Sequence, residues 1–324
     1  MIRAPIHRVQ RILAITLIVK CDNFLMETRQ LELFVAVAEE LNFTRAANRL
    51  FATQSTVSAG IRALESELGA TLFARSTRRV ELTQAAERLL PQARAVLSGI
   101  DRLRSSASDS AAGLRGRVRV GILTNLETDY LADLFGTFHE RYPLVDLSLS
   151  VSPTGSSGLA DDVRRGRLDV AFTGFAPADL PGLTTHLLAR ADFVVVMRDD
   201  DELAAKSTVS LGDVATRRQI DTPRGYGNRV VLDRAFSAKG MPRVVATELS
   251  DLTAVPRFVA AGLGIAIIPV AAPITVPGVA IRPLVDPKLT WTMTAISAAD
   301  TSYSAAVAAL LDLVGRDDRA GILS

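Results

Sequence analysis

Four apolar residues, Val57, Ile61, Leu64 and Leu68, recur at i, i+4, i+7 and i+11 between Thr53, a residue suited to capping a helix, and Gly69, a residue suited to ending one. This spacing gives a helix one apolar stripe and leaves Gln54, Ser55, Thr56, Ser58 and Arg62 facing out. Upstream, Leu31, Phe34, Val35, Ala38 and Leu41 predict a first helix ending near Asn42. Phe43-Thr44 offers a cap for a short second helix whose Ala46 and Ala47 permit close approach. Two short helices on one core, the second with a polar outer face, are what a helix-turn-helix needs, because its recognition helix must read base edges. A three-helix fragment of a larger α-domain fits the same pattern.

The next stretch favours the first alternative. "LFARSTRRVELTQ" carries Arg75, Arg78 and Arg79 with no acid before Glu81, and Val80-Glu81-Leu82 reads as a strand. A charge run is usually a solvated face, but a cationic hairpin behind a candidate recognition helix makes a wing able to reach phosphates or the minor groove. Leu82, Ala86, Leu89, Ala93, Val96, Ile100, Leu103 and Ala107 then alternate spacings of four and three, a heptad seam that predicts a long helix paired with a partner helix. Pro91 inside it, at a cost of about 3 kcal/mol in a helix interior, predicts a kink or local break near residues 87–91.

Across residues 31–90 the chain resembles the winged helix-turn-helix of LysR-type transcriptional regulators. The matching pieces are Phe43-Thr44-x-Ala46-Ala47, Gln54-Ser55, Ser58, Leu64-Glu65-x-x-Leu68-Gly69, Leu72-Phe73-x-Arg75 and Leu82-Thr83. Ala86 departs from the family's usual glycine, and Ala59-Gly60 is smaller than its usual polar pair. The resemblance implies that Gln54, Ser55, Thr56, Ser58 and Arg62 contact bases or phosphates in the major groove. Thr44 and Arg45 would hold the backbone, and Arg75 and Arg78 would act from the wing.

"SSASDSAAGLRGR", residues 105–117, is rich in Ser, Ala and Gly and reads as a linker. Beyond it, Arg117–Leu123 and Val145–Val151 alternate as half-buried strands around a helix from about Leu126 to Arg141. A helix near Gly158–Arg165 and the strands "LDVAFTG", "DFVVVM" and "GLGIAIIP" continue the pattern. Such alternation predicts a mostly parallel sheet with right-handed crossovers. "GRVRVGI", "RRGRLDVAF" and "FVAAGLGIAIIP" resemble the family's effector domain, which is like a periplasmic binding protein with two α/β lobes around a cleft. "RDDDELAA" at 198–205 departs from the family, as a surface-loop difference.

The expected organisation is therefore a leader at 1–25, a winged helix-turn-helix at 26–84, a linker and dimerisation helix at 85–116, and an effector-binding domain at 117–315. Within the last, lobe one is 117–186 with 284–315 and lobe two is 187–283. In such sheets a ligand sits beyond the carboxyl ends of strands, where helix N-termini present free N–H groups. Thr124 and Asn125 follow the first strand there, and Thr154 to Ser157 the second. Asn125 and Ser156 fall on positions where the family's first-lobe ligand contacts commonly lie, and "DTPRGYG" with Thr222 and Pro223 occupies the matching loop of lobe two. Ordinary helix capping explains the same hydroxyls and amides. A small organic anion suits these groups.

Composition restricts the remaining classes. A net charge of +2 means that any basic surface is local. One cysteine, Cys21, excludes an internal disulfide, and three scattered histidines (His7, His139, His186) leave little for metal ligation. No metal or cofactor is implied, and a reducing, cytoplasmic setting fits. The apolar run Ile12–Val19 is too short to span a bilayer and lacks a small-residue cleavage site, so 1–25 reads as an over-extended start or disordered leader before Met26. The expected partners are double-stranded operator DNA, a small-molecule effector and a second copy of the chain, as dimer or tetramer; RNA polymerase is a further partner the family resemblance allows, and a membrane is not. A solute-binding protein of a transport system is the alternative, though it leaves the winged segment unexplained. An enzyme on the same scaffold, using a carboxylate such as Asp169, ranks below both.

Overall fold

The computed structural model describes residues 26–75, 79–108, 113–123, 129–270, 274–286, 288–299 and 303–316. The leader, Arg78, Thr124 and Asn125 lie outside them. The chain divides after Ser98 into two units.

In the first unit each helix starts at a residue that satisfies its free N–H groups. Glu27 opens α1 (Thr28–Glu40) through a reciprocal capping box with Gln30, whose Oε1 accepts the Glu27 N–H at 2.9 Å. The cap of α2 (Phe43–Arg49) is Asn42 rather than Phe43-Thr44: its Oδ1 accepts the Thr44 and Arg45 N–H groups at 2.9 and 3.0 Å. Asn42 is extended and short enough to fold back, whereas Phe43 already belongs to the helix and is buried. Thr53 caps α3 (Gln54–Leu68), and Gly69 ends it at φ 61°. Leu41 and Phe51 take the left-handed conformation at φ 46° and 51°, which costs an L-residue roughly 1–2 kcal/mol. Phe51, in the turn between α2 and α3, is fully exposed.

The strands β1 (Phe73–Arg75) and β2 (Val80–Leu82) form the antiparallel hairpin of the wing. Phe73 seats it in the core, meeting Phe34 and Phe43 edge-on at 5.8 and 5.7 Å. Val57, Ile61 and Leu64 are fully buried in the same core, each contributing about 1.5–3 kcal/mol. The helix α4 (Gln84–Ser108) runs unbroken through Pro91, so the expected break is absent. Packing on both sides of the proline offsets its lost hydrogen bond, since Ala86, Leu90 and Ala93 are buried in the N-terminal core. Of the heptad seam, Ala86 and Ala93 are thereby buried inside the chain and Leu82 and Leu89 partly so. Val96 and Leu103, seven residues apart, remain 47% and 72% exposed. Arg94 ties α4 to α1 through Glu39, Nη2 to Oε1 at 2.7 Å, with its own side chain only 4% exposed.

The second unit contains β3 (Gly116–Ile122), α5 (Asp129–Arg141), β4 (Val145–Val151), α6 (Gly155–Arg164) and β5 (Val170–Thr173). The long β6 (Leu183–Arg198) follows, then β7 (Val209–Ser210), α7 (Leu211–Val214), β8 (Arg218–Asp221), α8 (Gly227–Ala238), β9 (Val244–Glu248), α9 (Val255–Ala260), β10 (Ile265–Pro269), β11 (Val279–Asp286), β12 (Thr290–Ala298) and α10 (Ala305–Arg316). Strand order is β4-β3-β5-β12-β6-β10-β8-β9, with β11 paired to β6 and β7. The two lobes share β6. Its first part, Leu183–Asp192, pairs with β12, and Phe193–Arg198 pairs with β10 and β11.

The sheet is mixed rather than mostly parallel. Within the lobes β3 runs parallel to β4 and β5, and β8 to β9 and β10. The pairs that β6 makes with β10, β11 and β12 are antiparallel. The βαβ pattern reports only the parallel units, because "DFVVVM" is the later half of a strand that crosses both lobes. Lobe one packs Phe138, Phe172 and Ile296 into its core, with Phe135 edge-on to Phe172 at 5.8 Å. Trp291 is buried in it too.

Candidate DNA interface and effector cleft

Burial of Val57, Ile61 and Leu64 leaves Gln54, Ser55, Thr56 and Arg62 exposed on α3 and Ser58 half-buried. Thr53 orders the first turn beyond its cap: its Oγ1 lies 2.8 Å from both the Ser55 and the Thr56 hydroxyls. Those hydroxyls are thus held in place on the outer face, each with hydrogen-bonding capacity to spare. Thr44 and Arg45 are exposed at the start of α2, where the Asn42 cap fixes the backbone. The Arg45 guanidinium folds back to the Glu40 carboxylate at 3.2 Å and to the Glu40 carbonyl, while its side chain stays 65% exposed. Arg75 lies in β1 opposite Val80.

Glu65, inside the sequence signature, accepts the Leu72 and Phe73 N–H groups on one carboxylate oxygen at 2.7 and 3.2 Å, which pins the wing to the end of α3. Thr83 does the same at the other end, donating to the Thr71 carbonyl at 2.8 Å and accepting the Ala86 N–H at 3.2 Å. These signature residues hold α3 and the wing in register. Pairing of Glu39 with Arg94 and Arg49 joins positions 55 and 10 apart in sequence and escaped the sequence reading.

In the second unit the candidate residues at the ends of β4 and β8 meet. The Ser157 N–H donates to the Gly225 carbonyl at 3.0 Å, joining the start of α6 to the loop before α8. Ser156 is fully buried and its Oγ accepts the Gly174 N–H at 2.9 Å. Thr222 is fully buried as well, its N–H donating to Asp221 at 2.6 Å and its hydroxyl to Asn228 at 3.1 Å. Both hydroxyls therefore brace the walls of the cleft. Pro223 is half-buried beside them.

Behind Thr222 stands a cluster the sequence does not announce. Asp221 is 1% exposed and faces Arg243, with the Arg229 Nε at 3.9 Å. Arg229 and Arg243 also reach Asp233 at 2.9 and 2.5 Å. A groove of about 590 Å³ opens over these arginines beside Phe236 and Met241. Each buried arginine has its own carboxylate partners, so the cluster is a structural ion-pair network. Asp169, the carboxylate named for an enzyme reading, is held by Arg119 at 2.7 Å in the same structural way. His139 is exposed on α5 and His186 half-buried on β6. Among the described residues no three His, Cys, Asp or Glu side chains converge to hold a metal ion. No helix among them is long and apolar enough to cross a membrane.

Two family models match. Residues 28–87 match the bacterial regulatory helix-turn-helix protein of the lysR family, and residues 111–319 match the LysR substrate binding domain. The HTH-type transcriptional regulator ShiR of Corynebacterium glutamicum is 37% identical over 246 residues, covering 75% of this chain and 82% of ShiR. A probable hydrogen peroxide-inducible genes activator of Mycobacterium avium is 33% identical over 243 residues, 75% of this chain and 77% of that protein. Among solved structures, full-length CbnR complexed with its target DNA is similar over 90% of this chain and 99% of that chain, with a TM-score of 0.57 and 26% identity. Its winged helical unit, its two-lobed α/β unit and these matches make the chain a member of the LysR family of transcriptional regulators.

Proposed function

We propose that α3 reads operator DNA through Gln54, Ser55, Thr56, Ser58 and Arg62, that Thr44 and Arg45 hold the backbone, and that Arg75 and Arg78 reach it from the wing. One observation carries this reading: the outer face of α3 is polar and pre-ordered by Thr53, on a helix whose opposite face is fully buried. The solved CbnR complex with its target DNA supports the same use of the unit. Exposed Val96 and Leu103 on α4 suit pairing with a second copy, which places two recognition helices on a dyad-symmetric site. The chain acts as a regulator rather than an enzyme, and its place is the cytoplasm, where the DNA is.

Operator binding tests the assignment. Arg62→Ala is expected to cost about 1–3 kcal/mol on the specific site, whereas Arg78→Ala weakens every sequence alike and lowers the salt slope by about 1. Unchanged footprints and slopes in both variants overturn it.

The effector is a small organic anion that enters between the lobes, its proposed contacts being Thr124 and Asn125, which follow β3 in sequence, together with Ser156, Thr222 and Pro223. Domain boundaries at 26–84, 85–116 and 117–315 follow from the same reading. Thiol oxidation by peroxide is not available to this effector domain, because the single cysteine of the chain is Cys21. Joint replacement of Thr124 and Asn125 by alanine is expected to weaken the response to candidate carboxylates by about tenfold, some 1.4 kcal/mol, while operator affinity stays as it was. An unaltered titration removes these two residues from the site.

A further inference from the structure

Among the described residues, three contacts around Gly155 and Gly174 join the lobes directly, beside an exposed ion pair of Arg234 with Asp179 at 2.5 Å. The first is the Ser157 N–H bond to the Gly225 carbonyl at 3.0 Å. Helix-starting N–H groups have no partner within their own helix, and the Thr154 side chain caps none of those of α6. Lobe two therefore supplies the partner. The second contact is Tyr226, 5% exposed, whose ring lies on Gly155: a Cβ there would stand 2.6 Å from the Tyr226 Cδ2. The third brings Gly227 backbone to backbone against Gly174, too close for any side chain at position 227. Gly174 in turn lies against the indole of Trp291.

We propose that Gly225, Tyr226 and Gly227 form a latch that holds the two lobes closed through the chain's own atoms. The parts depend on one another. Tyr226 over Gly155 keeps the loop down, the loop carbonyl satisfies α6, and the small residues at 174 and 227 let the backbones meet. Closure is then a property of the chain itself, and a bound effector is not what holds the lobes together. On the reading that the effector enters between the lobes, it must unseat Tyr226, so latch strength and effector affinity oppose each other.

The Ser157 amide tests the latch directly, because α6 itself offers that N–H no partner. Amide exchange resolved to single residues is measured on the purified full-length chain with no small molecule added. Ser157 is expected to exchange about tenfold or more slowly than an unstructured peptide, and Tyr226→Ala to abolish that protection while Leu159 to Val163 stay protected. Acrylamide quenching of Trp291, the single tryptophan, should rise in the same variant. An unprotected Ser157 amide in the parent chain overturns the proposal. So does unchanged protection in a folded Tyr226→Ala variant. Should that variant not fold, the parent measurement decides alone. Failure of the Thr124 and Asn125 assignment would show in effector titrations and leave the amide result untouched.

Discussion

Glu39→Ala is expected to destabilise the N-terminal unit by about 3–5 kcal/mol, the usual cost of removing one partner from a buried ion pair. Its carboxylate receives Arg94 Nη2 at 2.7 Å and Nε at 3.3 Å, and the Arg94 side chain is only 4% exposed. Truncation removes the Glu39 carboxylate from a guanidinium held inside the protein. Arg49, which meets the same carboxylate at 2.6 Å, is 47% exposed and can turn to solvent. Arg49→Ala is accordingly expected to cost no more than about 1 kcal/mol. Denaturant unfolding checks both, and equal midpoints for the two variants would show that Arg94 carries no special weight.

The same pair sets a pH dependence. Burial works to raise the Glu39 carboxyl, but hydrogen bonds from Arg94 and Arg49 and their charges outweigh it and hold the group below its ordinary 4.5. A carboxyl lowered in the folded state stabilises the fold above its unfolded pKa, and that contribution is lost as pH falls through the folded value. Acid below pH 4.5 should thus weaken the attachment of α4 to α1 in the parent. In Glu39→Ala this part of the acid sensitivity should be missing.

Local order was legible in the sequence. The stripe Val57, Ile61, Leu64 and the flanking Thr53 and Gly69 define α3 because helix periodicity and capping act within a few residues. Asn42 went unread as a cap because Thr44, two residues on, has the same chemistry. The β6 crossing strand was half read, since Leu183–Asp192 mixes polar and apolar residues that only its pairing with β12 organises. Ion pairs were the least visible feature: Glu39 with Arg94, and Asp221 with Arg243, are 55 and 22 residues apart, and no spacing rule joins them. For the cleft, the sequence located the segments that meet but not the direction of Ser156 and Thr222, whose hydroxyls turn inward to the Gly174 N–H and the Asn228 side chain.

Asp221→Ala should have the second large effect, about 3 kcal/mol on the effector unit, near the lower end of the range for a broken buried pair. Asp221 closes β8 and is 1% exposed; its Oδ1 accepts the Thr222 N–H at 2.6 Å and the Asn228 amide at 3.0 Å, while Oδ2 faces Arg243. Burial raises its carboxyl, and the Arg243 charge and the Thr222 N–H pull it back. Truncation strips one carboxylate from two arginines whose side chains are each 8% exposed. The loss stays moderate because Asp233 reaches both of them, at 2.9 and 2.5 Å. Asp233 is itself 45% exposed, so Asp233→Ala should cost less than Asp221→Ala. The two variants should also differ at a distance. Asp221 anchors Thr222, the first residue of the loop that carries Gly225 and Tyr226, so its loss should free that loop and speed exchange of the Ser157 amide. Asp233 lies on α8 and reaches the loop through Arg229, which donates to the Thr222 carbonyl at 2.9 Å and keeps Glu248 as a partner, so its loss should leave that amide protected. If the two variants matched in both stability and Ser157 exchange, the cluster would be acting only as packing and not as the anchor of the loop.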